Sequence, residues 1–238
     1  MLRSLMSTAA LLVVLSLHEA RADPGVEDAV QVLEDEWGEV FYKLPSDQQA
    51  PRFKALLPRV QALQDKYPKR AEPLILEAIV LCTLASTEWG FSSLTRLRKA
   101  RELLIRSIDF DPKAMGASAF ITLGNLYYRL PGWPISYGNN DLARQYLESA
   151  VKLFPNALDA NYFLGDFWLH EEDHAKALPY LEKAEKAPVR PNHLLSDNRI
   201  KEELQPALMA ARKGEEAHSD FFSSLIPLLG EDETEQIH

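Results

Sequence analysis

A sparse apolar pattern occurs four times along this chain, and it restricts the possible folds more than any other feature. In each copy, a small or apolar residue is followed by an apolar residue four positions on, a small or apolar one three further on, and then a proline. Spacings of four and three place side chains on one stripe of an α-helix, and a proline beyond the last turn ends the helix. The pattern therefore predicts four similar helices. Its copies are Leu56, Val60, Leu63 and Pro68; Ala100, Leu104, Ser107 and Pro112; Ala143, Leu147, Ala150 and Pro155; and Ala177, Leu181, Ala184 and Pro188.

A second pattern precedes the three later copies: a leucine, a small residue, and then an aromatic or apolar residue. The small residue lets a partner helix approach closely, and the larger residue fills the space beside it. Together the two patterns resemble the tetratricopeptide repeat (TPR), a helix-turn-helix unit. The members of the second pattern are Leu164, Gly165 and Trp168; Leu123, Gly124 and Tyr127; and, less clearly, Leu74, Ala78 and Leu81.

The resemblance implies an all-α fold, namely an α-solenoid of about four TPR-like helical hairpins with a C-terminal capping helix. The first hairpin is expected over residues 26–42 and 48–66. The capping helix is expected to start at Ser196 or Asp197 and to end near Glu216, after an irregular segment over residues 189–195.

The N-terminal residues have the order of a secretory signal peptide: Arg3, an apolar run over residues 9–17, and Ala20-Arg21-Ala22. The apolar run is shorter than a bilayer span, so residues 1–22 are predicted to be cleaved. No cysteine lies near the predicted cleavage site, so no lipid anchor is expected. We therefore predict a periplasmic or secreted protein with a TPR-like domain over residues 23–218 and an apolar, then acidic, tail over residues 219–238.

Charge and cysteine content exclude several classes of protein. The 238-residue chain has a formal net charge of −9, and removing residues 1–22 makes it more negative. Nucleic acids and anionic membranes select basic surfaces, so we expect neither as a partner and no stable membrane insertion after cleavage. Cys82 is the single cysteine, so helix packing rather than a disulfide within the chain has to supply stability. A half-buried, inert thiol is expected there.

Residues 170–174, His-Glu-Glu-Asp-His, match the zinc-binding motif H-E-x-x-H. The repeat register ends one helix at Glu172 and caps the next at Asp173, so the two histidines are expected to flank a turn instead of sharing a helical face. The sequence contains no phosphate-binding glycine loop, nucleophile elbow or paired cysteine ligands. We therefore expect no catalytic residue, no metal and no cofactor, and a protein that is not an enzyme.

In TPR arrays, ligands lie against the first helices of successive repeats, on the concave face. That face is expected to mix tyrosines with an amide, an arginine and carboxylates, which offer apolar area and directional hydrogen bonds together. The alternative is that Tyr128 and Tyr162 only complete helix packing. The residues predicted to bind a ligand or partner are Asn125, Tyr128, Arg129, Trp133, Tyr137, Tyr162, Asp166 and His170, and the counterparts of this face in the earlier repeat are Ile75, Ile79, Cys82 and Thr83.

Two adjacent repeats carry about ten and about seven extra residues between their helices, and both insertions contain aromatic residues. The earlier one contains Trp89 and Phe91, and the later one presents Trp133 and Tyr137 between prolines and glycines. The Trp133 loop is either a lid over the groove or a plug at the edge of the array. Asn139, Asn140 or Asp141 is expected to cap the next helix.

The stretch from Leu123 to Pro188, with its long loop between helices, also resembles the exported T-component (TatT-like) family of TRAP transporters. This resemblance implies a periplasmic accessory protein that works beside a solute-binding protein, in some cases as a ring-like oligomer. Two functions are therefore expected: an exported TPR scaffold that binds a protein or peptide in its concave groove, or a transport accessory that binds a small organic solute near the Trp133 loop. The oligomeric state stays open.

Overall fold

The computed structural model describes residues 24–87 and 91–215. These ranges contain nine α-helices and one short 3₁₀ helix over Pro191–His193. None of the helices in these ranges is long and apolar enough to cross a membrane. The α-helices are α1 (Pro24–Lys43), α2 (Ser46–Lys66), α3 (Glu72–Ser86), α4 (Phe91–Phe110), α5 (Ala114–Arg129), α6 (Asn140–Leu153), α7 (Leu158–His170), α8 (His174–Lys186) and α9 (Leu194–Lys213).

Consecutive helices pack as four hairpins, α1–α2, α3–α4, α5–α6 and α7–α8, which confirms the predicted solenoid. The repeated apolar stripe faces the core: its residues on α4, α6 and α8 are fully buried. Each stripe leucine on α6 and α8 lies against a glycine of the preceding helix. A Cβ added at Gly124 would lie 2.4 Å from Leu147, and one at Gly165 would lie 2.6 Å from Leu181. Only glycine allows these two helix pairs to approach so closely.

Helix α9 seals the last hairpin, as predicted for a capping helix, by packing Ile200, Leu204 and Leu208 against α7 and α8. It also returns to the other end of the array and contacts α1. Helices α1, α3, α5, α7 and α9 therefore form a closed ring, with α2, α4, α6 and α8 outside it. The sequence pattern did not predict this closure, because the residues that meet lie more than 150 positions apart.

Two local predictions were wrong. The extra residues between the second pair of helices mainly lengthen α4, which already begins at Phe91, so only residues 87–90 connect the helices. Neither Ser196 nor Asp197 caps α9: the helix starts at Leu194 with His193 before it, and residues 191–195 are helical instead of irregular. Asp197 is drawn away from capping by its contact with Arg190.

Other predicted boundaries agree with the structure. The Asn139 side chain accepts a hydrogen bond from the Leu142 amide and caps α6, and Asp173 caps α8 in the same way through the Lys176 amide. The signal peptide over residues 1–22, Trp89 of the earlier insertion, and the tail over residues 219–238 lie outside the described residues. Those predictions stay predictions.

Candidate ligand cavity

The ring of helices surrounds a partly open cavity of about 180 Å³ on the inner face of the array. Every helix of the ring contributes to its wall, because the first helix of each hairpin turns one side inward. The wall is mainly apolar. Its aliphatic, aromatic and thiol groups include Trp37, Ile79, Cys82, Ile121, Leu126, Phe163 and Ile200.

Two of the eight predicted binding residues, Asn125 and Arg129, line this cavity. They belong to a buried polar cluster with Tyr128 and Asp166. The Asp166 carboxylate accepts hydrogen bonds from the Tyr128 hydroxyl, at 2.5 Å, and from the Arg129 guanidinium. Arg129 Nε also donates to Asn125 Oδ1 at 3.2 Å, and the Tyr128 hydroxyl oxygen lies 3.1 Å from the same oxygen. The cluster therefore satisfies its own charges and leaves Arg129 no need of an anionic ligand.

Burial changes the chemistry of the cluster. Desolvation is the main cause that raises the pKa of the Tyr128 hydroxyl well above its ordinary value, and the neighbouring Asp166 carboxylate adds to it. Tyr128 therefore stays protonated and donates its hydrogen bond at every physiological pH.

A second charged cluster closes the cavity on the side of α7 and α9. Arg190 Nη2 lies 2.9 Å from an Asp159 oxygen and 2.6 Å from an Asp197 oxygen. The Arg190 backbone amide and Nε also donate to Asp197, at 2.7 and 3.0 Å. Because Asp197 is fully buried and Asp159 is 8% exposed, Arg190 neutralises two carboxylates that are largely removed from water.

The wall between α1 and the 3₁₀ helix is polar. Glu34 Oε1 lies 3.4 Å from His193 Nδ1, and the Gln31 amide donates to the Asn192 carbonyl at 3.3 Å. The hydrogen bond to Glu34 is the main cause that raises the pKa of His193 above 6.5. A second cavity of about 500 Å³ lies outside this wall.

The loop over residues 130–139 is held at both ends but does not line the cavity. The Gly138 amide donates to the Pro131 carbonyl at 3.0 Å, and the Asn139 amide donates to Tyr127 at 2.7 Å. Tyr137 packs into the core and donates its hydroxyl to the Leu97 carbonyl at 2.9 Å. By contrast, the Trp133 side chain is 89% exposed at the tip of the loop.

The other predicted site residues lie apart from the cavity. Tyr162 is fully buried in the apolar core between α7, α8 and α9. His170 is exposed at the end of α7, with its ring 5.2 Å from the ring of Tyr128. The turn at residues 171–173 separates it from His174 at the start of α8, as predicted. The described residues contain no group of three potential metal ligands.

Sequence reasoning missed the contributions of α1 and of the segment before α9. Glu34, Trp37, Arg190, His193 and Ile200 all line the cavity, yet none belongs to the clear repeats. The one available signal was the acidic and aromatic composition of α1 beside the arginine and histidine of residues 190–193. Without the ring closure, nothing in the sequence places these two segments together.

Comparison with known families agrees with this architecture. Residues 137–191, which span α6, α7 and α8, match the family model of the tetratricopeptide repeat. No curated protein matches the chain. Tetratricopeptide repeats are typical of non-catalytic scaffolds that mediate interactions between proteins, and the helical hairpins fit that general class. The match shows a tetratricopeptide repeat over residues 137–191, and the paired helices and glycine–leucine contacts show an all-α helical-repeat fold in the residues that the structure describes.

Proposed function

We propose that this protein is a non-catalytic binding protein that holds a small, mainly apolar organic ligand in the inner cavity. The observation that supports the proposal is the ring of five helices, which turns the inner face of the repeats into a concave, mainly apolar cavity. Small-molecule sites are concave, mostly apolar and largely preformed. A site for an extended peptide would instead be an open groove with unpaired polar groups along it.

The charges around the cavity favour a ligand without net charge. Arg129 is paired with Asp166, and Arg190 with Asp159 and Asp197, so neither guanidinium needs a ligand as its counterion. Thr122 adds one polar group: it is half-buried, lines the cavity and has no hydrogen-bond partner within residues 24–87 and 91–215. A ligand with an apolar body and one hydroxyl or carbonyl group would fit this wall.

The size of the cavity limits the ligand further. An engineered apolar cavity of about 150 Å³ accommodates benzene, so a space of about 180 Å³ suits one ring or a short branched chain. A larger ligand would extend through the wall toward the second cavity.

A protein partner is the second candidate, and a different observation favours it. Trp133 and Ile135 are 89% and 56% exposed on a loop that is held at both ends. Exposed aromatic side chains on a rigid support are common anchors of protein interfaces. Binding at this edge would use the outside of the array, whereas a peptide in the groove would require α9 to separate from α1.

Export and transport are part of the same proposal. The order of charged, apolar and small residues over residues 1–22 supports export, and the resemblance to transporter T-components supports a role beside a solute-binding protein. In the periplasm, a binding protein that surrounds an apolar molecule would shield it from water. Mass spectrometry of the secreted protein tests the first step, because cleavage at the expected site gives a chain that begins with Asp23.

Ligand binding is tested with a set of neutral fragments of about six to twelve heavy atoms, such as toluene, indole and cyclohexanol. Saturation-transfer NMR and thermal shift detect binding, because a ligand that binds only the folded state raises the melting temperature. We expect Thr122→Phe and Ile79→Phe, which fill the cavity from two different helices, to abolish the signals. Trp133→Ala is the control and leaves them unchanged.

The opposite pattern would contradict the proposal. If Trp133→Ala removes the signals while both cavity-filling variants keep them, the ligand binds at the loop. If no fragment binds to the folded wild-type protein, the cavity is structural. Circular dichroism of each variant separates a lost site from a lost fold.

A further inference from the structure

One wall of the helical ring is built differently from the other four. The α1–α3, α3–α5, α5–α7 and α7–α9 contacts each lie within an apolar core cluster that contains residues of both helices. Among the residues that the structure describes, no such cluster contains residues of both α1 and α9. The ring is therefore closed at one seam without a shared apolar core.

Polar contacts hold this seam. They include the Glu34–His193 pair at 3.4 Å and the hydrogen bond from Gln31 to the Asn192 carbonyl at 3.3 Å. Both distances lie beyond the usual range for strong hydrogen bonds. Opening the seam would therefore break these two long polar contacts without dividing an apolar core cluster, whereas opening any other wall would divide a packed core.

The seam also separates the two cavities. Glu34, Trp37, Tyr42, His193 and Ser196 line both the inner cavity and the cavity of about 500 Å³ outside it. A displacement of these side chains would join the inner cavity to a space that reaches the surface. No rearrangement of the hairpins is needed.

We infer that the seam between α1 and residues 191–196 is the route by which a ligand reaches and leaves the inner cavity, with Glu34 and His193 as its latch. The inference rests on the proposed function for the ligand, but the opening is a property of the protein alone. It makes the first helix and the last segment of the ring a functional unit, although neither belongs to the clear repeats.

Cys82 provides a reporter that needs no ligand. It is the single cysteine of the chain, it lines the inner cavity, and it is buried. Burial raises the pKa of its thiol to about 12, so the closed protein reacts slowly. The rate at which methyl methanethiosulfonate, a small neutral thiol reagent, modifies Cys82 is therefore a measure of how often the cavity opens. Mass spectrometry follows the modification.

The latch is tested by charge reversal at one fixed pH below 7. Glu34→Lys places an ammonium beside His193, and we expect the Cys82 rate to rise about five- to tenfold, since each 1.4 kcal/mol changes a population tenfold. Glu36→Lys is the matched control: it makes the same change on the same helix, but Glu36 pairs with Arg59 of α2, away from the cavity. Its rate is expected to stay within about twofold of the wild type.

Restoring the opposite charges should restore the closed seam. Combining Glu34→Lys with His193→Glu recreates an ion pair of reversed polarity, and we expect the rate to return to within about twofold of the wild type. Equal rates for Glu34→Lys and Glu36→Lys, or no recovery in the double variant with an intact circular dichroism spectrum, would overturn the latch. If no fragment binds but the Cys82 modification rates of the variants change as expected, the proposed ligand would be overturned, whereas the opening at the seam would remain supported.

Discussion

At the scale of single residues, Arg190 is the side chain that links two helices through their carboxylates. Its side chain joins Asp159 of α7 to Asp197 of α9, and its own backbone amide donates to the same Asp197 carboxylate. Asp197 is fully buried, and a buried carboxylate without a partner is strongly unfavourable. The position of α9 against α7 therefore depends on one guanidinium in the connecting segment.

Replacing Arg190 tests this dependence. We expect Arg190→Ala to lower the free energy of unfolding by about 3 kcal/mol, because it leaves a buried carboxylate unpaired. Urea denaturation measures the change. The control is Arg144→Ala, which removes an exposed pair with Asp141 and should have no measurable effect. Equal stabilities of the two variants would contradict the role given to Arg190.

Two helical glycines provide a second test at this scale. Gly165→Ala would place a Cβ 2.6 Å from the Leu181 side chain, so we expect a loss of about 1–2 kcal/mol from overpacking. Gly38→Ala is the matched control in α1, where the added Cβ would lie 3.7 Å from Leu195. That variant should be neutral or more stable, since alanine favours a helix over glycine. Melting temperatures of both variants decide the comparison, and a stabilised Gly165→Ala would refute the close α7–α8 contact.

At the scale of elements, the loop between α5 and α6 divides into an anchor and a tip. Tyr137 is the anchor: its ring packs edge-on against Tyr127 at 5.5 Å, and its hydroxyl reaches α4. Gly138 makes the loop possible, because a Cβ there would lie 1.9 Å from the Leu130 carbonyl oxygen. Trp133 at the tip contributes little to folding because water surrounds most of it.

The two residues therefore differ in their effects on stability. Tyr137→Phe removes the hydrogen bond to Leu97 and is expected to cost about 1 kcal/mol, whereas Trp133→Ala should leave the melting temperature unchanged. Differential scanning calorimetry compares them. A large thermal loss in Trp133→Ala would show that the tip is packed in solution and would support the role of a plug.

Elements were predictable from the sequence where local spacing determines them. The stripe residues on α4, α6 and α8, the glycines beside Leu147 and Leu181, and the Asn139 and Asp173 caps all depend on neighbours within one hairpin. The start of α9 was not predictable in this way, because Asp197 is a good capping residue by type but is bound by Arg190. The extra turns of α4 were also not predictable, because the spacing between two patterns does not show whether inserted residues lengthen a loop or a helix.

At the scale of the whole molecule, the candidate site was only half predictable. Asn125 and Arg129 follow from the repeat register, because the inner face of a solenoid recurs with each hairpin. The pairing of Glu34 with His193 does not follow from the repeat register, because the two residues meet only where the ring closes. No pattern of neighbouring residues in the sequence therefore predicts it.

The pH dependence of stability belongs to this scale, because it reports the closure of the ring. His193 faces Glu34, Arg190 and Asp197, and the hydrogen bond to Glu34 raises its pKa in the folded protein. A raised pKa means that the pair stabilises the fold fully below the ordinary value of 6.5 and loses this contribution as pH rises through the folded value.

We therefore expect wild type to exceed Glu34→Gln in stability by up to about 1 kcal/mol near pH 5.5, with the difference falling toward zero at pH 9. Chemical denaturation at several pH values measures it. A difference that grows with pH would have the wrong sign and would exclude the ion pair as a contact of the folded state.

The meeting of α1 with α9 also has a consequence for how such a protein can evolve. An open array gains or loses a unit at little cost, because each unit touches only those beside it. Here an inserted hairpin would push the first and last helices apart and leave the interior exposed to water. Duplication or deletion of one unit should therefore be far less tolerated in this chain than in an open array of the same length. The number of hairpins is restricted because only that number lets the first and last helices meet.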